Sequence, residues 1–449
     1  MSDWMEAERR VERAQQLFES HRWEEALSEL DAALSINPHN ATWHAQRGFL
    51  LDELDRTGEA ADAYQHALEL EPGDRDVSMA LGMTLLRLER YVRAIAVLEA
   101  VAEQYPDFEP AYCHRIYAYA ELGQHDRAEQ MFYLAQQIDD HCAHCFFHLG
   151  GSLASRGDTD RAMYCWKRVL DLEPEYVGVQ ERIGRIHRER GELDQARECF
   201  LHELRNDPGN TDLMFDLGQL HLEAGDPGAA ATKFLHVVEL EPDHADAHFA
   251  LAKMWLRLGQ HAKALTCLDT IRRLGPSDEP IGFKLVHGHA LLQAERTEEA
   301  SEVLRQAVDE QPEDPQAVGL LGDCYAARAR YGEAADCYRR VLARDVKNAN
   351  KEFKLGVCLF RLSRPAAAIA HWLAALRVKP DLSPAWNHLA LAYVQLARWR
   401  EAKEALRKAC ASDPENQAAR ELLDGLWRYQ LRYYLRRPVV WLGRIFRRG

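Results

Sequence analysis

The chain has 449 residues, 71 acidic against 56 basic, and a formal charge of −15 at neutral pH. That length exceeds one ordinary globular core and predicts either several domains or a repeat array. The apolar and charged fractions are those of a water-exposed protein, and the acidic balance disfavours nucleic acid as a partner.

The first residues, MSDWMEAERRVERAQQ, are charged throughout and lack an apolar segment. Neither a signal peptide nor an N-terminal anchor is expected from them. No uncharged apolar run approaches the roughly 20 residues a bilayer span requires. The longest near the end, PVVWLG, stops at Arg444.

Prolines stand at 38, 72, 106, 174, 208, 242, 276, 312, 380 and 414, at steps of 34 or twice 34 with one step of 36. Asp140 and Val346 hold the two places where the proline is missing, and the long step contains the loop PSDEPIG. Twelve residues before every mark stands an alanine, from Ala26, Ala60 and Ala94 to Ala334, Ala368 and Ala402. A small residue belongs where two helices of a hairpin cross closely. Twenty-four before the mark stands mostly glycine, as at Gly48, Gly150 and Gly356. Glycine inside a helix costs about 1 kcal/mol, so close approach of a partner helix is expected there.

This pattern resembles the tetratricopeptide repeat, with its W-x2-L-G-x2-Y, A-x3-F and P positions. Trp386, Leu389, Ala390, Tyr393, Ala402, Leu406 and Pro414 carry it in one unit. The resemblance implies an all-α fold, a right-handed superhelical solenoid of about twelve helix–turn–helix units. They run near 7–40, 41–74, 75–108, 109–142, 143–176, 177–210, 211–244, 245–280, 281–314, 315–348, 349–382 and 383–416. Two units depart from the pattern. The first has Arg10 and Arg13 at apolar places, which fits an exposed end; the fourth has Ile116 for glycine and Asp140 for proline.

The resemblance also implies that first helices line a concave groove, through places 5, 9 and 12 of each unit. Those places hold Phe49, Met83 and Tyr117, then Phe147, Phe215 and Phe249, then Leu292, Phe353 and Phe360, with Arg185 and Lys253 interspersed. Phe18, Met79, Leu86, Leu222, Leu256 and Leu285 share the pattern. So many large apolar groups suit an amphipathic helix or extended apolar peptide. The competing reading is that several of them pack between neighbouring first helices. The lysine–asparagine pair of chaperone-tail clamps is missing, and Asn387 is nearly alone where sugar-transferring arrays carry an asparagine ladder.

Six of the ten cysteines, Cys165, Cys199, Cys267, Cys337, Cys324 and Cys358, recur at two places of the repeat. They read as small core residues and reduced thiols, as in a cytoplasm-like compartment. DDHCAHCFFHLG differs. Cys142 and Cys145 form a C-x2-C half-site, for which Cys113, His114 or His148 would supply the rest of a metal or redox site. A histidine-rich turn beside a packed cysteine is the bland alternative.

Residues 417–437 are expected to form a helix that caps the open end. Leu422, Leu426 and Tyr433 make one stripe and Leu423, Trp427 and Tyr434 the next. From Gly425 onward the chain carries seven arginines and no acidic residue, so a tail of +7 ends a body of −22. In 438–449, Trp441 and Phe446 lie on an apolar side, and Arg444, Arg447 and Arg448 on a cationic one. Such a segment suits an anionic membrane surface. Docking onto the acidic solenoid of its own or another copy, a merely solubilising end, and nucleic acid compete with that reading.

No nucleophile-elbow, zincin, P-loop or dinucleotide motif is present, and the units use up the chain. The sequence therefore reads as a non-enzymatic scaffold or adaptor without a cofactor. It would bind a protein or peptide in its groove and be cytoplasmic, tethered at a membrane surface by its tail. The alternative is a metal- or redox-responsive regulator using residues 113–148.

Overall fold

The structure is a computed structural model that describes residues 2–435. Twenty-five α-helices and a single 3-10 turn, Pro276–Asp278, account for the regular structure of the described residues. They divide into two compact units, Met1–Ala224 and Gly225–Gly449.

The first unit begins with α1 (Ser2–Glu19), α2 (Trp23–Ile36), α3 (Ala41–Glu53), α4 (Thr57–Leu70), α5 (Arg75–Arg87) and α6 (Tyr91–Gln104). It continues with α7 (Glu109–Glu121), α8 (His125–Ile138), α9 (Ala143–Ser155), α10 (Thr159–Leu172), α11 (Val179–Glu189), α12 (Leu193–Asn206) and α13 (Thr211–Glu223). The second contains α14 (Pro227–Leu240), α15 (Ala245–Arg257), α16 (His261–Leu274), α17 (Phe283–Gln293), α18 (Thr297–Glu310) and α19 (Pro315–Ala327). After these come α20 (Tyr331–Leu342), α21 (Ala349–Arg361), α22 (Pro365–Val378), α23 (Ser383–Gln395), α24 (Trp399–Ser412) and α25 (Gln417–Leu435). Odd-numbered helices up to α23 are the first helices of the repeats, and each packs on its successor within the unit that contains both.

The alanine that marks each repeat is fully buried at all twelve places, among them Ala26, Ala162, Ala264 and Ala402. The repeat glycines face a large side chain one turn further along the same second helix. A Cβ on Gly150 would lie 2.4 Å from Nε1 of Trp166, and one on Gly356 2.4 Å from Nε1 of Trp372. Those indoles donate to the carbonyls of Phe147 (3.2 Å) and Phe353 (3.1 Å), which holds the pyrrole edge of each ring against the first helix. Trp372 is completely buried. Removing a tryptophan of that kind from water is worth about 5 kcal/mol before entropy is subtracted.

Each hairpin turns through one residue with positive φ, and all twelve stand at the same place of the repeat. Five are glycine, such as Gly157 (φ 90°) and Gly191 (φ 76°); the others include His21, Glu89 and Ala329 at φ 56–57°. A left-handed residue lets the chain leave a helix and reverse. Helix α8 ends at Ile138 although Asp140 stands where the proline would be, so the frame holds without it. At the exposed end, Arg10 and Arg13 both pair with Glu29 of α2, at 3.1 and 3.2 Å.

Candidate functional site

The three places of the first helices expected to face inward are not equivalent. Place 9 is the most open: Phe49 on α3 is 47% exposed, Met83 on α5 is 46% exposed, and Arg185 and Lys253 are exposed as well. Tyr117, Phe147, Phe215, Leu292, Phe353 and Phe360 are half-buried. Several of these reach the next first helix. Phe353 lies 5.4 Å from His388, and the Arg182 guanidinium sits 4.7 Å over the Phe147 ring.

Phe249 corrects the expected groove. It is a core side chain, 5% exposed, 6.5 Å from Phe283, because place 5 faces the neighbouring hairpin. The Lys253 ammonium covers its outer face at 3.9 Å, and burial lowers the pKa of that lysine. Met79 and Leu86 are buried in the same way. Arg185 is already engaged, with Glu181 at 2.8 Å and Asp216 at 3.1 Å.

The open places continue into a cleft. Val11, Gln15 and Phe18 of α1 and Gln46 and Phe49 of α3 line about 230 Å³ of space. Phe18 and Phe49 lie 5.5 Å apart and form its aromatic wall. Apolar walls with glutamine amides at the rim can hold an apolar side chain and hydrogen-bond its backbone. Sequence reasoning found Phe18 and Phe49 but missed Val11 and Gln15, which occupy the same inward places in the atypical first unit.

A second cluster lies between α7 and α9. Glu109, Cys113, Cys142 and Cys145 each offer an atom, and these atoms all lie within 4.8 Å of one another. Cys145 Sγ donates to Glu109 Oε1 at 2.8 Å, and the Cys145 amide donates to Cys142 Sγ at 3.4 Å. Cys113 and Cys145 are buried; Cys142 and Glu109 are partly exposed. Burial raises the Glu109 carboxyl to about 7. Hydrogen bonding from Cys113 and then Cys145 lowers the Cys142 thiol, and the two donor thiols are raised in return.

Of the candidates to complete the half-site, Cys113 is in this set and His114 and His148 are not; the His148 ring lies 5.2 Å from Tyr117 and 5.6 Å from Phe147. Glu109 is the fourth member. The signal for it was one helical turn: Glu109 precedes Cys113 by four residues, so both lie on one face of α7. All ten cysteines are free, and burial raises Cys165, Cys324 and Cys358 to about 11.

Helix α25 seals along one side. Ala419 and Leu426 are buried and Leu422 and Leu423 partly so, and near its end the Tyr433 ring meets Trp399 at 5.6 Å. Trp427, expected in the sealing stripe, is 58% exposed, with Leu431 and Leu435 also outward. These three are four residues apart and form an open stripe beside Arg428 and Arg432. The tail residues Trp441, Arg444, Phe446, Arg447 and Arg448 lie outside the described residues.

Comparison with known proteins bears on the repeats. A family model described as Tetratricopeptide repeat matches residues 11–75, 147–211, 215–279 and 285–349. A second model of that description matches 53–118, and one described as Anaphase-promoting complex, cyclosome, subunit 3 matches 328–409. A probable UDP-N-acetylglucosamine–peptide N-acetylglucosaminyltransferase SPINDLY from Hordeum vulgare is 32% identical over 97 residues. That match spans 22% of this chain and a tenth of the relative's length. Among solved structures, the APC/C hetero-tetramer Cut9-Hcn1 matches 92% of this chain and 94% of its own, at 15% identity and a TM-score of 0.44. YrrB, described as a TPR protein with an unusual peptide-binding site, matches 37% of this chain and 86% of its own, at 23% identity and a TM-score of 0.34.

Proposed function

From the premise that this chain belongs to the tetratricopeptide repeat family, we propose that it is a non-enzymatic scaffold that holds an apolar peptide segment on its first helices. The observation that carries this reading is the row at place 9. Phe49, Met83 and Tyr117 stand at one place on three successive first helices, and the two most open are about half exposed. Large apolar side chains kept in water at a fixed period are costly for a monomer and suit a partner's anchors. The cleft beside Phe49 supplies a socket for one such anchor. Support for a non-catalytic role comes from the repeats themselves, which together with α25 take up nearly all of the described residues.

The test uses peptides selected from a random display library against the full chain. The double variant Phe49→Ala with Met83→Ala should weaken the selected peptides at least about tenfold, with helicity unchanged. Equal binding by the double variant would remove the groove from consideration.

A second reading concerns the C-terminus. The open stripe of Trp427, Leu431 and Leu435 beside Arg428 and Arg432 extends the aromatic, arginine-rich character of the tail back into α25. Tryptophan suits the interfacial layer and arginine the headgroups of an anionic bilayer. Co-sedimentation with anionic and neutral vesicles, full length against a 1–437 truncation, checks it. Salt-sensitive binding to anionic vesicles by the full chain alone supports a tether, and no binding by either form removes it.

A further inference from the structure

Cys113, Cys142 and Cys145 depart from the way the rest of the chain uses cysteine. Six others recur at two fixed places in the packing lattice. These three stand at three different places and still converge. Cys142 holds the N-cap of α9, where other units put Asn40, Asp74, Asn210, Asp314, Asn348 and Asn416, each accepting backbone N–H bonds from its own helix. A neutral thiol is a weak acceptor in that role. Cys145 follows in the first turn, at a place that is Trp43, Val77, Leu213 or Ala247 elsewhere.

The surrounding helices are equally irregular. Unit four lacks both the glycine and the proline, and Ile116 is fully buried where other units have glycine or alanine. Among the described residues, α7 and α9 make the most extensive contact of any two successive first helices. So the packing that spaces the other units is absent here, and two first helices close on each other around three sulfurs and a carboxylate.

We propose that Cys113, Cys142, Cys145 and Glu109 form a structural zinc site that clips α7 to α9. The geometry is already near that of a bound ion. A tetrahedral ion with metal–sulfur bonds of about 2.3 Å places its ligand atoms roughly 3.8 Å apart. The four atoms here lie within 4.8 Å without it. The ligands form two short pairs, E-x3-C on one helix face and C-x2-C at one helix start, which suits a closed site. Three sulfurs select zinc over magnesium or calcium, which prefer oxygen. On binding, each thiol gives up its proton to solvent and its sulfur lone pair to the metal, with no change of oxidation state.

The experiment uses the full-length chain, reduced and stripped with a chelator, then titrated with cobalt and zinc. One equivalent of cobalt should give the near-ultraviolet thiolate charge-transfer band and the intense visible bands of tetrahedral coordination, and zinc should bleach both. Cys142→Ser keeps an N-capping side chain, so it preserves the fold while removing a ligand. It should lower zinc affinity more than about a hundredfold in competition with a chromophoric chelator, exceeding the effect of an outer-shell change. Glu109→Gln should weaken binding less, and His148→Ala not at all. No charge-transfer band from the unmutated reduced chain overturns the site. So does unaltered affinity in Cys142→Ser, or a reduced chain that refuses zinc and forms an internal disulfide on oxidation.

Discussion

Single residues show the sharpest conflict between local preference and packing at the repeat glycines. On helix propensity alone, Gly356→Ala should stabilise α21 by about 1 kcal/mol. The added Cβ would meet the fully buried Trp372 at 2.4 Å, and overpacking costs about 1–3 kcal/mol. We expect a net loss of about 1 kcal/mol and a lower thermal midpoint; a rise would mean that the ring can shift. The hairpin turns give the opposite sign. Ala329 sits at φ 57° where five other repeats have glycine. A left-handed alanine costs about 1 kcal/mol, so Ala329→Gly should raise stability by about that amount, read as a shift of the urea midpoint.

At the level of the element, α25 separates two roles that share one helix. Leu426 is buried, and Leu426→Ala should cost about 2–3 kcal/mol and speed amide exchange along α25. Trp427 is 58% exposed, so Trp427→Ala should change stability by less than about 0.5 kcal/mol. If instead the tryptophan variant loosens α25, the stripe belongs to the seal and is not free to meet a surface. The pair α7 and α9 makes a matching case. With zinc bound, exchange should slow in both helices and their flanking turns, and a chelator should reverse it there while α3 and α5 stay unchanged.

For the molecule as a whole, stability in a repeat array is a sum of nearest-neighbour terms. Each of the two compact units has its own core. A fragment of residues 1–224 should therefore fold alone, with helical signal per residue matching that of the full chain. An unfolded fragment would show that the first unit depends on the second. The same additivity explains why the irregular fourth unit is tolerated: Ile116 and Phe132 fill its interior, and neighbours on either side carry the regular pattern.

The sequence by itself determined the repeat, because the small residues that let helices approach must recur with every hairpin. All twelve of its marking alanines are fully buried. It also singled out Phe49 and Met83, which are about half exposed, and Cys142 with Cys145 as an unusual pair. Only the tertiary structure decided which inward places stay open. Place 5 and place 9 lie on one helix face, but place 5 meets the next hairpin, so Phe249 is core while Lys253 is exposed. That Glu109, and neither His114 nor His148, lies with the three cysteines was decided in the same way. Periodicity along one chain assigns a side chain to a face, whereas the distance between two helices, here α7 and α9, decides which side chains on facing surfaces can share a metal.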